Sequence, residues 1–218
     1  MDTSKILSFL TELEQNNSKE WMDANKSWYQ DCRSEFIGFV ESLLGGIARF
    51  DEGVEGLKAN KCIFRINRDV RFSKNKDPYK TNFGAAMGEG GRHAGNPIYY
   101  FHLQAERSFL AGGLYMPEAE SLKKIRQEID YNPEELKKIV SQKEFVKNFG
   151  AIDGERLKTA PKGYPKDHPN IELLQLKSFI VVHDFKASQV ESERLLDDSL
   201  KLYEMMKPFN DYLSVAIS

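Results

Sequence analysis

Thr81–Tyr115 reads TNFGAAMGEGGRHAGNPIYYFHLQAERSFLAGGLY, and its punctuation decides the fold. Three runs rich in apolar and β-forming residues, Thr81–Met87, Ile98–Gln104 and Ser108–Tyr115, are separated by GEGGRHAGNP and by the short AER turn. Neither connection has the dozen or so residues plus a helix that a parallel crossover needs, so the strands are expected to pair antiparallel. Cys62, Ile63, Phe64 and Ile66 form a further strand candidate upstream, and Phe179–His183 one downstream.

Helical patterns lie on both sides of this block. Ile6, Phe9, Leu10 and Leu13 follow the i, i+3, i+4, i+7 stripe of an amphipathic helix. Asn17 with Glu20 resembles a capping box, so a second helix is expected from there, with Trp21, Trp28, Cys32, Phe36, Phe39, Val40, Leu43 and Ile47 on its inner face. Its length allows a break near Asn25 or Gly45. Downstream, Pro117 to about Ile129 reads as a helix, and Asn132-Pro133 with Glu135 starts another that carries Leu136, Ile139, Val140 and Phe145 to Gly150. The prolines and glycine of residues 160–170 make that segment irregular. A final helix from Ser188 or Ser192 carries Leu200, Tyr203, Met206 and Phe209, and Pro208 is expected to kink or restart it. The expected class is α+β: one domain over residues 1–218, with a mainly antiparallel sheet packed against N-terminal and C-terminal helices.

Composition sets few further bounds. The 218 residues are 40% hydrophobic and 29% charged, within the range of chains that fold around a core. Met1–Gln15 lacks the basic start and continuous apolar centre of a signal peptide, and no run reaches the roughly 18 apolar residues of a membrane span. A cytoplasmic protein with no membrane partner is the expectation. Cys32 and Cys62 share no CxxC spacing and read as reduced, buried small hydrophobes.

Immediately before the strand block the charge is unusual. From Lys58 to Lys80, eight basic residues face two acidic ones, a local balance of +6 in a chain of net charge -2, leaving -8 elsewhere. Arg65, Arg68 and Arg71 recur every third residue and are followed by Ser73, Lys74, Tyr79, Lys80 and Thr81. Guanidinium groups grip phosphates or carboxylates through paired hydrogen bonds, and hydroxyls and ammonium groups supply the remaining donors. These eight residues are the candidate ligand site, for an anionic small molecule such as a phosphorylated metabolite or nucleotide. Phe64, Phe72 and Tyr79, interleaved with the charges, suggest partial burial. The alternatives are a nucleic-acid or acidic-protein binding module using the same surface, or a noncatalytic scaffold in which the arginines are salt-bridge struts. A sequence pI near 6.1 disfavours the nucleic-acid alternative. Asp69, between Arg68 and Arg71, reads as an ion-pair partner with a lowered pKa, which makes it a weak base near neutral pH.

The run FRINRDVRFSKNKDPYKT resembles the signature FR-I-x-RD-x-RFS-x-x-K-x-PYKT of domain-of-unknown-function family 2461 of bacteria and fungi. Phe64, Arg65, Ile66, Arg68, Asp69, Arg71, Phe72, Ser73, Lys76, Pro78, Tyr79, Lys80 and Thr81 meet it. Phe9–Trp21, Gly112–Pro117 and Leu157–Lys177 resemble other parts of that family, so the similarity covers nearly the whole chain. It implies a single domain and no particular reaction.

Other chemical signatures are missing from the sequence. His93, His102, His168 and His183 form no HxxH, HxxxH or His/Cys spacing suited to zinc, so no metal is expected, and no cofactor motif identifies itself. His102 and His183 fall on strand candidates and are expected either to meet across the sheet or, for His102, to be buried and hydrogen-bonded. GEGGRHAGN completes neither a P-loop nor G-x-G-x-x-G, and reads as a flap over the basic site. Trp21, Trp28 and Tyr29 read as core. No catalytic residue is identified, and whether the protein is an enzyme stays open.

Overall fold

Four strands, β1 (Phe83–Met87), β2 (Ile98–Leu103), β3 (Phe109–Leu114) and β4 (Phe179–Asp184), form an antiparallel sheet in the order β1-β2-β3-β4. The computed structural model describes residues 1–92 and 95–218. Phe83 is opposite Leu103, Tyr100 opposite Ala111, and Ala111 opposite Val182, so side chains two residues apart on each strand share a face across the whole sheet.

One face is covered by helices. Residues Lys26–Ile47 (α3) and Leu195–Ile217 (α10) lie against β1 and β3 respectively and against each other. The seam is aromatic: Phe36 meets Phe83 at 5.3 Å, Phe39 meets Phe101 at 4.9 Å and Tyr203 meets Tyr99 at 5.3 Å between ring centroids. Thr3–Gln15 (α1) packs its Ile6, Phe9, Leu10 and Leu13 stripe onto α3. Ala119–Tyr131 (α5), Pro133–Val140 (α6) and Lys143–Phe149 (α7) pack around α10. With short helical turns at Ala59–Cys62 (α4), Ile171–Leu174 (α8) and Ala187–Val190 (α9), the architecture is α+β, as expected.

Several boundaries differ from the sequence reading for identifiable reasons. Ser18, not Asn17, caps Lys19–Ala24 (α2), because its hydroxyl accepts from the Trp21 N–H at 3.2 Å. Asn17 instead spans the backbone of Tyr79: its Nδ2 donates to the Tyr79 carbonyl at 3.0 Å, and its Oδ1 accepts from the Tyr79 N–H at 3.1 Å. The expected break falls at Asn25. Cys62 closes α4 rather than opening a strand, and among the described residues only isolated bridges, Ile63 with Ala85 and Asn67 with Tyr79, continue the sheet on that side. Pro133 occupies the first turn of α6, but Ser141 and Gln142 interrupt the helix before Phe145, and Gly150, at φ 68°, ends α7. Pro208 lies inside α10 without interrupting it. Both cysteines are buried and free, and burial pushes the Cys32 thiol up to about 11. No helix among the described residues is long and apolar enough to cross a membrane.

Candidate functional site

Among the described residues no helix covers the opposite face of the sheet, which has an arm along each edge. On the β1 side, residues 63–67 and 79–82 fold back as a hairpin held by Phe64 N–H to Gly84 O (3.0 Å), Lys80 N–H to Ile66 O (2.8 Å) and Arg68 N–H to Pro78 O (2.8 Å). On the β4 side, residues 153–156 bridge to Ile180 and Leu176. Covering edges in this way leaves few strand groups open to strange chains. Between the arms is a cleft of about 580 Å³, within the usual size of small-molecule sites.

Tyr100, His102, Phe109, Ala111, Ile180 and Val182 line it from the sheet, Phe64 and Lys80 from the basic arm, and Arg107 and Asp153 from the far side. Strand alternation explains the grouping: Tyr100 and His102 are two residues apart, and Phe109 pairs with His102. The His102 ring stacks on Phe109 at 4.5 Å and 16°. Its Nδ1 is 3.1 Å from Tyr100 Oη and 3.5 Å from Asn82 Nδ2, and its Nε2 is 3.0 Å from Gln104 Oε1. Gln104 Nε2 donates in turn to Thr81 Oγ1 at 3.4 Å, and the Asn82 amide nitrogen, a donor, facing Nδ1 agrees with the Gln104 oxygen being turned towards the imidazole. A carbonyl oxygen only accepts, so Nε2 carries the ring hydrogen and Nδ1 is left with its lone pair. Burial holds His102 below its ordinary value, Gln104 opposes that shift, and the positive charge of Arg107 adds to it. Tyr100 is pushed up to about 12 by burial.

The glycine opposite His102 has a steric reason to be there. A Cβ on Gly84 would come within 2.7 Å of Tyr100 Oη, so any side chain at this position displaces the hydroxyl from its place beside the imidazole.

Lys80 has the least balanced charge in the cleft. Its ammonium is over the Phe64 ring, 5.3 Å from the centroid, and its pKa is lowered by burial and by the positive charges of Arg65 and Arg92. Among the described residues no carboxylate is within ion-pair distance of it. Arg107, by contrast, is paired with Asp184 at 2.6 Å and lies over the Phe109 ring at 5.0 Å.

The eight residues read from sequence as one site divide into three groups. Lys80 lines the cleft, Thr81 supports it through Gln104, and Arg65 is exposed beside Lys80. Arg68, Arg71, Ser73 and Lys74 belong to the tip of the hairpin. There Arg68 turns inward, donating to the Asp77 carbonyl at 3.1 Å and to Ser73 Oγ at 3.4 Å. Arg71 is paired with Asp69 at 2.7 Å, and those hydrogen bonds hold the Asp69 carboxyl below the usual range. Lys74 is exposed, and Phe72, expected to be partly buried, is 97% exposed. Tyr79 turns away into the core, at 8% exposure, where burial and the nearby acids Asp23 and Glu20 raise its pKa.

His102 and His183 do not meet. His183 pairs with Leu110 on the helix-covered face, one strand removed from His102, and its Nδ1 is 2.9 Å from the Asn148 carbonyl oxygen. Of the glycine-rich loop, His93 and Ala94 lie outside the described residues. Arg92 is drawn down onto α4, donating to the carbonyls of Asn60, Lys61 and Ile63 at 3.3, 2.9 and 3.1 Å. Among the described residues, no group of three or more His, Cys, Asp or Glu side chains could hold a metal ion. Tyr100, Gln104, Arg107 and Phe109 were not visible as site residues in the sequence; the available signal was polar residues at alternate positions, Tyr100, His102 and Gln104, in a run otherwise apolar.

An antiparallel four-stranded meander with helices on one face and a cationic, aromatic cleft on the other describes the class of protein. Residues 5–212 match the family model described as conserved hypothetical protein (DUF2461), and the chain belongs to that family. No curated protein and no solved structure matches it.

Proposed function

We propose that the protein binds an anionic small molecule, of the size and chemistry of a phosphorylated metabolite or nucleotide, in the open-face cleft. Lys80 and Arg65 hold the anion, and Phe64, Tyr100 and Phe109 receive its flat or apolar part. The observation that carries this reading is the ammonium of Lys80: it is half-buried over an aromatic ring, near two other positive charges and with no carboxylate beside it. Desolvating a cation costs free energy unless an opposite charge or hydrogen-bond acceptor compensates, and a bound oxyanion supplies both.

The test is a thermal-shift scan over phosphorylated metabolites and aromatic carboxylates, with Lys80→Met and Arg68→Gln beside the wild type. A ligand at a hundredfold its dissociation constant adds about 2.7 kcal/mol of stability. The wild type and Arg68→Gln are expected to shift and Lys80→Met to stay near its baseline. Equal shifts in the wild type and Lys80→Met would remove the cleft as the binding site.

One observation favours a second reading, nucleic-acid binding at the hairpin tip. Phe72 is 97% exposed with the Arg71 guanidinium over its ring at 5.9 Å, and base stacking on an exposed aromatic is a common element of single-strand recognition. Titration with single-stranded oligonucleotides at several salt concentrations separates the two readings, because each neutralised phosphate contributes roughly 0.7 to the log–log slope. A slope near zero removes the second.

A further inference from the structure

We infer that the anion enters the cleft together with a proton, taken up on His102 Nδ1, and that this proton turns the Tyr100 hydroxyl from an acceptor into a donor towards the ligand. The inference rests on the anion-binding reading above and adds to it two groups, Tyr100 and His102, and a direction of pH control.

The geometry leads there in three steps. First, Gln104 Oε1 holds the Nε2 hydrogen, so Nδ1 is the only nitrogen of His102 free to gain a proton, and Tyr100 Oη is 3.1 Å from it. Second, a phenol has one hydrogen. While His102 is neutral that hydrogen is directed at the Nδ1 lone pair, and Oη offers the cleft only lone pairs, which repel an oxyanion. Third, once Nδ1 is protonated the same contact reverses. Nδ1–H donates to Oη, and the Tyr100 hydrogen rotates outward to meet an acceptor in the cleft. One proton is gained by the imidazole, none is lost by the phenol, and no bond between heavy atoms changes.

The surroundings explain why the proton arrives with the anion and not before it. His102 faces Tyr100 on its own strand, Asn82 from the chain entering β1, Arg107 from the turn between β2 and β3, and Phe109 on β3. Lys80 and Asp153 line the same cleft, and Asp184 of β4 is already committed to Arg107. Partial burial and the positive charge of Arg107 therefore oppose an imidazolium more than the Gln104 hydrogen bond favours it. An oxyanion beside Lys80 reverses that balance by neutralising positive charge where His102 would feel it. The ligand class that benefits is an oxyanion, such as sulfate, a phosphate or a carboxylate, with an acceptor oxygen that reaches Tyr100.

Inorganic sulfate is the probe, since it remains a dianion throughout the range in which histidine titrates. Its affinity for the wild-type protein is measured by calorimetry between about pH 5 and about pH 8, in two buffers of different ionisation enthalpy. Affinity is expected to be about tenfold greater at the acid end, the change that one charge-assisted hydrogen bond supplies, with uptake peaking at roughly half a proton per sulfate where the imidazole titrates and falling away towards the alkaline end. His102→Gln should bind weakly and without pH dependence. Tyr100→Phe, which keeps the ring and the fold but lacks the hydroxyl, should lose most of the gain at low pH. Sulfate binding that is flat with pH in the wild type, or equally pH-dependent in His102→Gln, would overturn the inference and leave the anion site standing. Tyr100→Phe behaving as wild type would overturn the donor switch. Absence of sulfate binding at every pH would remove the anion-binding reading, and this inference with it.

Discussion

The two faces of the sheet are built from the same strands and differ in what covers them. On the helix side Phe83, Phe101, Leu110, Phe179 and Val181 are at most 3% exposed and touch aromatic or aliphatic side chains. On the open side Tyr100, His102, Phe109, Ile180 and Val182 are only partly buried, and the polar ones are satisfied by one another rather than by the core. The comparison teaches that burial on one face stabilises the sheet enough for the other to carry polar and aromatic groups that are not packed into a core. A two-sided sheet with helices on both faces would have no room for this.

The comparison is tested most severely by removing a ring from the covered face. Phe101→Ala deletes a fully buried side chain held between Phe36, Phe39 and Phe185, and is expected to cost about 3 to 5 kcal/mol in a urea melt. A loss of under about 1 kcal/mol would mean that the covered face is not the load-carrying one. Gly84→Ala acts on the other side: the added methyl meets Tyr100 Oη, with an expected cost of about 1 to 3 kcal/mol and a changed chemical shift of the His102 ring protons. An unchanged His102 spectrum would show that the hydroxyl and imidazole are not coupled.

A smaller effect is expected from pH. The folded protein holds His102 below its unfolded value of about 6.5, so folding favours the neutral form. The associated stability is fully present above the unfolded value and is lost as pH falls through 6.5 towards the lower folded value. Comparing the melting temperature of wild type and His102→Gln between these limits should show a steeper decline in the wild type; parallel curves would contradict it. The smallest change comes from Phe72→Ala, expected within about 0.5 kcal/mol of wild type because the ring is in solvent. A larger destabilisation would show that the tip packs on something.

The strands of the meander were legible because each is a short apolar run between strong turn signals, and antiparallel pairing followed from loop length alone. Cys62 was misplaced for the same reason: a run of apolar residues does not distinguish a helical turn from a strand, and Arg92, thirty residues downstream, helps decide it by bonding the carbonyls of Lys61 and Ile63. Charge was read correctly as clustered in sequence and too simply as clustered in space. Arg71 and Asp69 satisfy each other locally, Arg68 is used to hold its own turn, and hairpin geometry carries Lys80 into the cleft and Thr81 beside it, with Arg65 exposed near Lys80. Tyr100 and Phe109 were invisible as site residues because nothing in a single strand says which of its faces a helix will cover.

The Asn17 amide has a consequence for how the protein behaves in concentrated solution. By bonding both the N–H and the C=O of Tyr79, it gives that residue the two hydrogen bonds a neighbouring strand would have given. A backbone so occupied has nothing to offer a passing extended chain, which makes one side-chain amide between two helices a guard against edge-to-edge self-association.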